Sequence, residues 1–125
     1  MSLKHMKSLI VLVVGLLSVA CLTTEQKQKT LRDSVVGEYE YKLNGDTGKQ
    51  VYLENGIEES YRNGKKLAES KWSIVDGEIH AKSDSGAINI SRINTDKSIT
   101  YIANIADGKR TGWAKENQLI YKKIK

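Results

Sequence analysis

The chain has 125 residues with 20 Lys and Arg against 15 Asp and Glu, a formal net charge of +5, and it contains no Phe, no Pro, one Cys and two His. That length bounds it to a single domain, and a lone thiol excludes an intramolecular disulfide. Lys4 and Lys7 precede Cys21 and no acid does, so from Cys21 onward the balance is 18 basic to 15 acidic residues, or +3, interspersed in a way that argues against a nucleic-acid footprint.

The first element in chain order is a processing signal. Met1–Lys7 is short and basic, Ser8–Val19 is apolar, and Ser18, Val19 and Ala20 place small residues just before Cys21. Met6 begins a compact signal of its own and is an alternative start. The apolar segment Leu9–Leu22 would make about 21 Å of helix, against a hydrocarbon core of roughly 30 Å, so it is too short to span a membrane. Residues 1–20 are therefore expected to be a signal peptide.

The end of that signal, "LSVAC", resembles a bacterial lipobox, in which the cysteine is lipidated on sulfur and becomes the first residue of the mature chain. The resemblance implies lipidation at Cys21 and anchoring to the cell envelope by acyl chains such as palmitate. Ser18 stands where the commonest form has Leu, and Ser18 with Ala20 also fits ordinary signal cleavage, so a soluble secreted or periplasmic product is the alternative. Leu22 after the cysteine implies an outer-membrane location facing the periplasm where two membranes exist. The following "LTTEQKQKTLRDS" is polar. Residues 21–33 are read as a solvated tether of at most about 40 Å, although Thr23 and Gln26 have the spacing of a capping box and allow a short helix.

From Ser34 to Lys125 the chain reads as hairpins. "LNGDTG", "ENG", "RNG", "VDG", "SDSG", "NTDK", "ADG" and "KEN" recur at close intervals, and Asn-Gly or Asp-Gly between alternating runs is a strong hairpin signal. In the intervening runs Tyr39, Tyr41 and Leu43 share a face, as do Val51 and Leu53. Ala68, Ser70, Trp72 and Ile74 form an inner row, and Ile79 and Ala81 point inward with His80 out. Ile99, Tyr101, Ala103 and Ile105 align on one side, and Leu119 and Tyr121 on another. The expected fold is all-β: an antiparallel meander of about eight or nine short strands, closed as a small up-and-down barrel or strongly curled, with an interior mostly filled by its own side chains.

An anchored small meander barrel resembles the calycin-like, lipocalin-like domain of envelope-sensing lipoproteins. The metal-associated cysteine pair of that family is absent, so copper binding is not implied. "YLENGIEESYRNGKKLAESKWSIVDGEI" resembles the texture of MORN-type hairpin repeats, without a clean period. "SDSGAINI" is loosely similar to the Ser-x-Ser-Gly loop of membrane-bound lysozyme-inhibitor lipoproteins, though Asn89 stands near where a tyrosine is expected.

No residue pattern carries catalysis. A nucleophile needs a base and an orienter, and His80, the one histidine outside the signal, alternates outward. Glu58 and Glu59 are adjacent, face opposite sides of a strand, and read as a solvated edge. No enzyme, no cofactor and no metal are expected. Lys109, Arg110, Lys122, Lys123 and Lys125 are weighed as a lipid-facing patch against a solvated strand face. Tyr39, Tyr41, Tyr61, Tyr101 and Trp113 are the candidate contacts for a ligand or partner. The expectation is a monomeric, non-catalytic envelope module whose partners are the membrane, through lipidated Cys21, and an envelope protein. Alternatives are a small-ligand-binding barrel and an inhibitor of an envelope hydrolase such as lysozyme.

Overall fold

A computed structural model of the chain describes residues 23–125. The signal segment, the lipobox and Cys21 lie outside the described residues. Two compact units meet within the first described helix, at Thr30 and Leu31.

The capping-box spacing does form a helix, α1 (Thr24–Val35). The Thr23 N–H donates to Gln26 Oε1 at 3.0 Å and the Gln26 N–H to Thr23 Oγ1 at 3.2 Å, a reciprocal pair that satisfies two orphan amides of the first turn. The stretch read as a tether is thus helical from Thr24, with residues 24–30 exposed, and the barrel unit begins at Leu31.

Nine strands follow: β1 (Gly37–Leu43), β2 (Asp46–Tyr52), β3 (Ile57–Arg62), β4 (Lys65–Val75), β5 (Glu78–Lys82), β6 (Ile88–Ile93), β7 (Ile99–Ala106), β8 (Lys109–Gly112) and β9 (Leu119–Lys123). Every pairing is antiparallel, and β1 to β7 pair in sequence order. Because β9 pairs with both β7 and β1, eight strands close into a barrel, with β8 hairpinned on the far half of β7. The expected meander barrel is the observed fold. Two-residue turns at Asn44–Gly45, Asn63–Gly64, Asp76–Gly77 and Asp107–Gly108 all carry positive φ at both positions, the geometry that matches the right-handed twist of the strands they join.

Aromatic rings fill the half of the barrel next to Val35. Tyr39, Tyr52 and Trp72 meet edge to face at 5.6 and 5.5 Å, over Ile79, Ala81 and Ile99. Their polar ends are satisfied: the Tyr39 hydroxyl donates to Val35 O at 2.7 Å and the Trp72 indole to Leu53 O at 2.9 Å. The last turn of α1 seals this end, with Arg32 stacked 4.6 Å over the Trp72 ring while donating to Glu54 O at 2.9 Å. A chain without Phe thus builds its core from tyrosines whose hydroxyls find hydrogen-bond partners, Val35 O for Tyr39 and Gln50 Oε1 for Tyr52.

Two bulges alter the expected alternation. Leu67 is an extra residue opposite the Ser60/Tyr61 step, and Ile102 is one opposite Ile90/Ser91. Past Ile102 the parity of β7 reverses: Tyr101 pairs with Ser91, but Asn104 pairs with the lumen-lining Asn89, and Ala103 pairs with Ile90 on the other face. The continuous row Ile99–Tyr101–Ala103–Ile105 is therefore broken at its midpoint. In β2 the inward face is Gly48, Gln50 and Tyr52, with Val51 on the opposite side, and Gly48 is required there because a Cβ would sit 1.9 Å from the Tyr41 ring. Ala68, at the outer end of the expected β4 row, is exposed.

Candidate functional site

Two features interrupt the packed barrel, one in its lumen and one in its wall. The lumen feature begins with β3, "IEESYR", which places two acids side by side at Glu58 and Glu59. Strand alternation turns Glu58 and Ser60 inward and Glu59 and Tyr61 outward. Glu58 is 4% exposed, which corrects its reading as part of a solvated edge. Glu59 does lie outside, where it accepts from Lys66 at 2.9 Å and from the Tyr61 hydroxyl at 3.2 Å.

Glu58 lines a cavity of about 190 Å³ together with Gln50, Tyr52, Asn89, Ser91 and Tyr101. The Ser60 hydroxyl donates to Glu58 Oε1 at 2.9 Å, and the Tyr52 hydroxyl donates to Gln50 Oε1 at 2.8 Å. Burial raises the Glu58 carboxyl above the usual carboxylate range, because the hydroxyls of Ser60 and Ser70 replace only part of its lost water. Burial likewise raises the Tyr52 and Tyr121 phenols beside it. At the outer side of the cavity, Tyr101 OH and Asn104 Nδ2 both donate to Asn89 Oδ1, at 2.9 and 3.1 Å, and Trp113 packs edge-on against Tyr101 at 5.7 Å.

The wall feature is the seam where the barrel closes. The β1–β9 ladder runs only over Tyr39–Lys123 and Glu40–Lys122, with irregular bonds from Glu38 to Ile124 and Lys125. Beyond Glu40 the two strands separate. An apolar groove of about 560 Å³ opens there, walled by Tyr41, Leu43, Leu119, Ile120, Lys122 and Ile124. Leu43, Ile120 and Ile124 are 52%, 57% and 47% exposed, so three of the six exposed large apolar side chains among the described residues gather at this groove.

The five expected contact aromatics separate. Tyr101 and Trp113 meet at the outer side of the lumen cavity, and Tyr41 lines the groove with its ring 4.7 Å from that of Tyr121. Tyr39 is a core residue, its hydroxyl committed to Val35 and pushed up to about 12 by burial. Tyr61 lies on the outer face with Lys49 5.9 Å from its ring. Glu58 was the residue missed by patterning. The signal that finds it is positional: a run bounded by "ENG" and "RNG" must be a strand of the meander, and its inner face then falls on Glu58 and Ser60.

The terminal lysines and arginine do not form one free basic face. Arg110 grips Glu78 with both guanidinium nitrogens at 3.0 and 3.2 Å, Lys125 lies 3.4 Å from Glu38, and Lys123 donates to Ser34 O at 2.8 Å. In the "SDSG" turn the two serine hydroxyls bond each other at 2.7 Å, and Ser83 also donates to Ala87 O. Among the described residues no three His, Cys, Asp or Glu side chains converge to hold a metal ion, and no helix is long and apolar enough to cross a membrane.

Fold and cavities together define a small, closed antiparallel meander barrel with a polar lumen pocket and an open apolar seam, an architecture of the kind the calycin-like resemblance implies. No protein-family model matches the chain, and neither a curated protein nor a solved structure matches it.

Proposed function

We propose that the protein is a non-catalytic interaction module of the bacterial envelope, lipid-anchored through Cys21, that receives a protein partner in the β1–β9 seam. The groove carries this reading. A folded barrel that hides three large rings in its core leaves Leu43, Ile120 and Ile124 in water beside one another, and exposed apolar surface of this kind marks interaction sites. The alternative of an inhibitory loop draws no support from "SDSG", because its serines are bonded within the turn.

The test places a photoreactive amino acid at Ile120 in the full-length protein in its host cell, with Leu67, 61% exposed on a different strand, as the control position. A discrete adduct from Ile120 that Leu67 does not give supports a partner in the seam. Equal labelling from both positions, or none from Ile120, overturns it.

A further inference from the structure

Among the described residues Glu58 is the only carboxylate lining the lumen cavity, and no Lys, Arg or His lines it. An acid buried without a cation is costly to a small fold. Gln at the same position would keep the shape and accept the Ser60 hydrogen bond without that cost. The remaining polar lining consists of hydroxyls and amides from four other strands, with Gln50 and Tyr52 on β2, Asn89 and Ser91 on β6, Tyr101 on β7 and Tyr121 on β9. They line the same cavity as an acid that has no cation among them. Leu119 and the Tyr121 ring supply one apolar wall. The space, about 190 Å³, corresponds to roughly six waters at about 30 Å³ each.

We infer that the barrel lumen is a binding site for a small primary ammonium compound, with Glu58 as its counter-ion and the amide and hydroxyl oxygens of Gln50, Ser91 and Tyr101 taking the remaining N–H donors. An ammonium group presents three donors and one positive charge, which matches one carboxylate surrounded by neutral acceptors. A neutral polar ligand would not call for the acid, and a divalent metal ion would call for more than one. The site shares only Leu119 with the lining of the seam groove and none of its polar residues, so it does not depend on a protein docking there.

The experiment titrates the isotope-labelled full-length protein in non-ionic detergent with 1-butylammonium, and separately with 1-butanol as the uncharged equivalent. The amides of Asn89, Ser91 and Tyr101 and the side-chain carboxyl carbon of Glu58 report by NMR. Butylammonium is expected to shift the three amides saturably and move the Glu58 carboxyl toward its ionised position, with butanol at least 10-fold weaker. Glu58→Gln should weaken butylammonium binding at least 10-fold in a protein that keeps its barrel spectrum. Unmoved lumen amides, equal response to the alcohol, or full affinity in folded Glu58→Gln would overturn the inference. If the variant does not fold, an unmoved wild-type Glu58 carboxyl resonance overturns it alone.

Discussion

Glu58 and Glu59 are neighbours of the same type with opposite fates, and the difference is the side of the strand each occupies. Outside, Glu59 keeps water and gains Lys66, which holds its carboxyl below the usual range. Inside, Glu58 loses water, gains serine hydroxyls, and is raised. The consequence for stability has a definite sign. A carboxyl raised in the folded state binds protons there that the unfolded chain releases, so folding weakens as pH climbs from the ordinary value of 4.5 through the folded one. The carboxylates lowered by partners, Glu38, Asp46, Glu59, Glu78 and Asp96, act oppositely and weaken the fold on acidification. The groups facing Glu58, Tyr52 and Tyr121, stay protonated across that window because burial raises both. Subtracting wild type from Glu58→Gln cancels the shared terms. The variant should be more stable by about 1 kcal/mol at neutral pH, with the advantage fading as pH falls toward 4.5 and absent below it. Urea unfolding at several pH values measures it, and a variant less stable than wild type at pH 7 contradicts the placement of an uncompensated acid in the lumen.

Among the elements, the turns were the most legible part of the sequence. Asn-Gly and Asp-Gly dictate positive φ locally, so four hairpins follow from eight residues without reference to the rest of the chain. Closure was not legible to the same degree. Which strand meets β1 depends on strand count and stagger, and β9 lies some eighty residues away in sequence. The inner row of β7 was misassigned because one bulge at Ile102 reverses every later position, and nothing about an isoleucine announces a bulge. A second group of turns shows how local rules can be violated. The loops after Leu53, Ser83 and Asn94 share one pattern, in which the amide of the third following residue returns to the carbonyl of the first. Gly56 and Gly86 occupy the positive-φ position in two of them, at 88° and 90°, but Lys97 occupies it in the third at 72°. Asp96 and Ser98 hold that turn in place, with Asp96 Oδ1 accepting from the Ser98 amide at 2.9 Å. A side chain in this region costs on the order of 1–2 kcal/mol, while glycine loses about 0.5–1 kcal/mol through its freer unfolded chain. Lys97→Gly should therefore stabilise the barrel by about 0.5–1 kcal/mol. Thermal unfolding would show it as a rise of a few degrees, and a fall would mean that the lysine side chain contributes more than its backbone strain takes away.

At the scale of the whole molecule, the proposed envelope location raises the question of what could hold a hydrophilic barrel at a bilayer. The balance from Cys21 onward is only +3, and the basic residues gathered toward the end of the chain are largely committed. Arg110 is paired with Glu78, Lys125 with Glu38, and Lys123 is bonded to the Ser34 carbonyl over the Tyr39 ring. Electrostatic attraction to anionic headgroups, about 1 kcal/mol for each basic residue near the surface, then has few groups to draw on. Two or three acyl chains on one cysteine supply far more, at about 0.8 kcal/mol for each buried CH₂. Anchoring should accordingly depend on a single sulfur atom. Wild-type protein expressed in a bacterial host is expected in the membrane fraction with a mass raised by a diacyl or triacyl increment, and Cys21→Ser is expected in the soluble fraction at physiological salt with neither. Retention of the serine variant on membranes that is released by added salt would transfer the anchoring role to the barrel's lysines. A wild-type product that is soluble and carries an unmodified thiol would remove the anchor altogether, leaving a secreted barrel whose groove and lumen must then act away from any membrane.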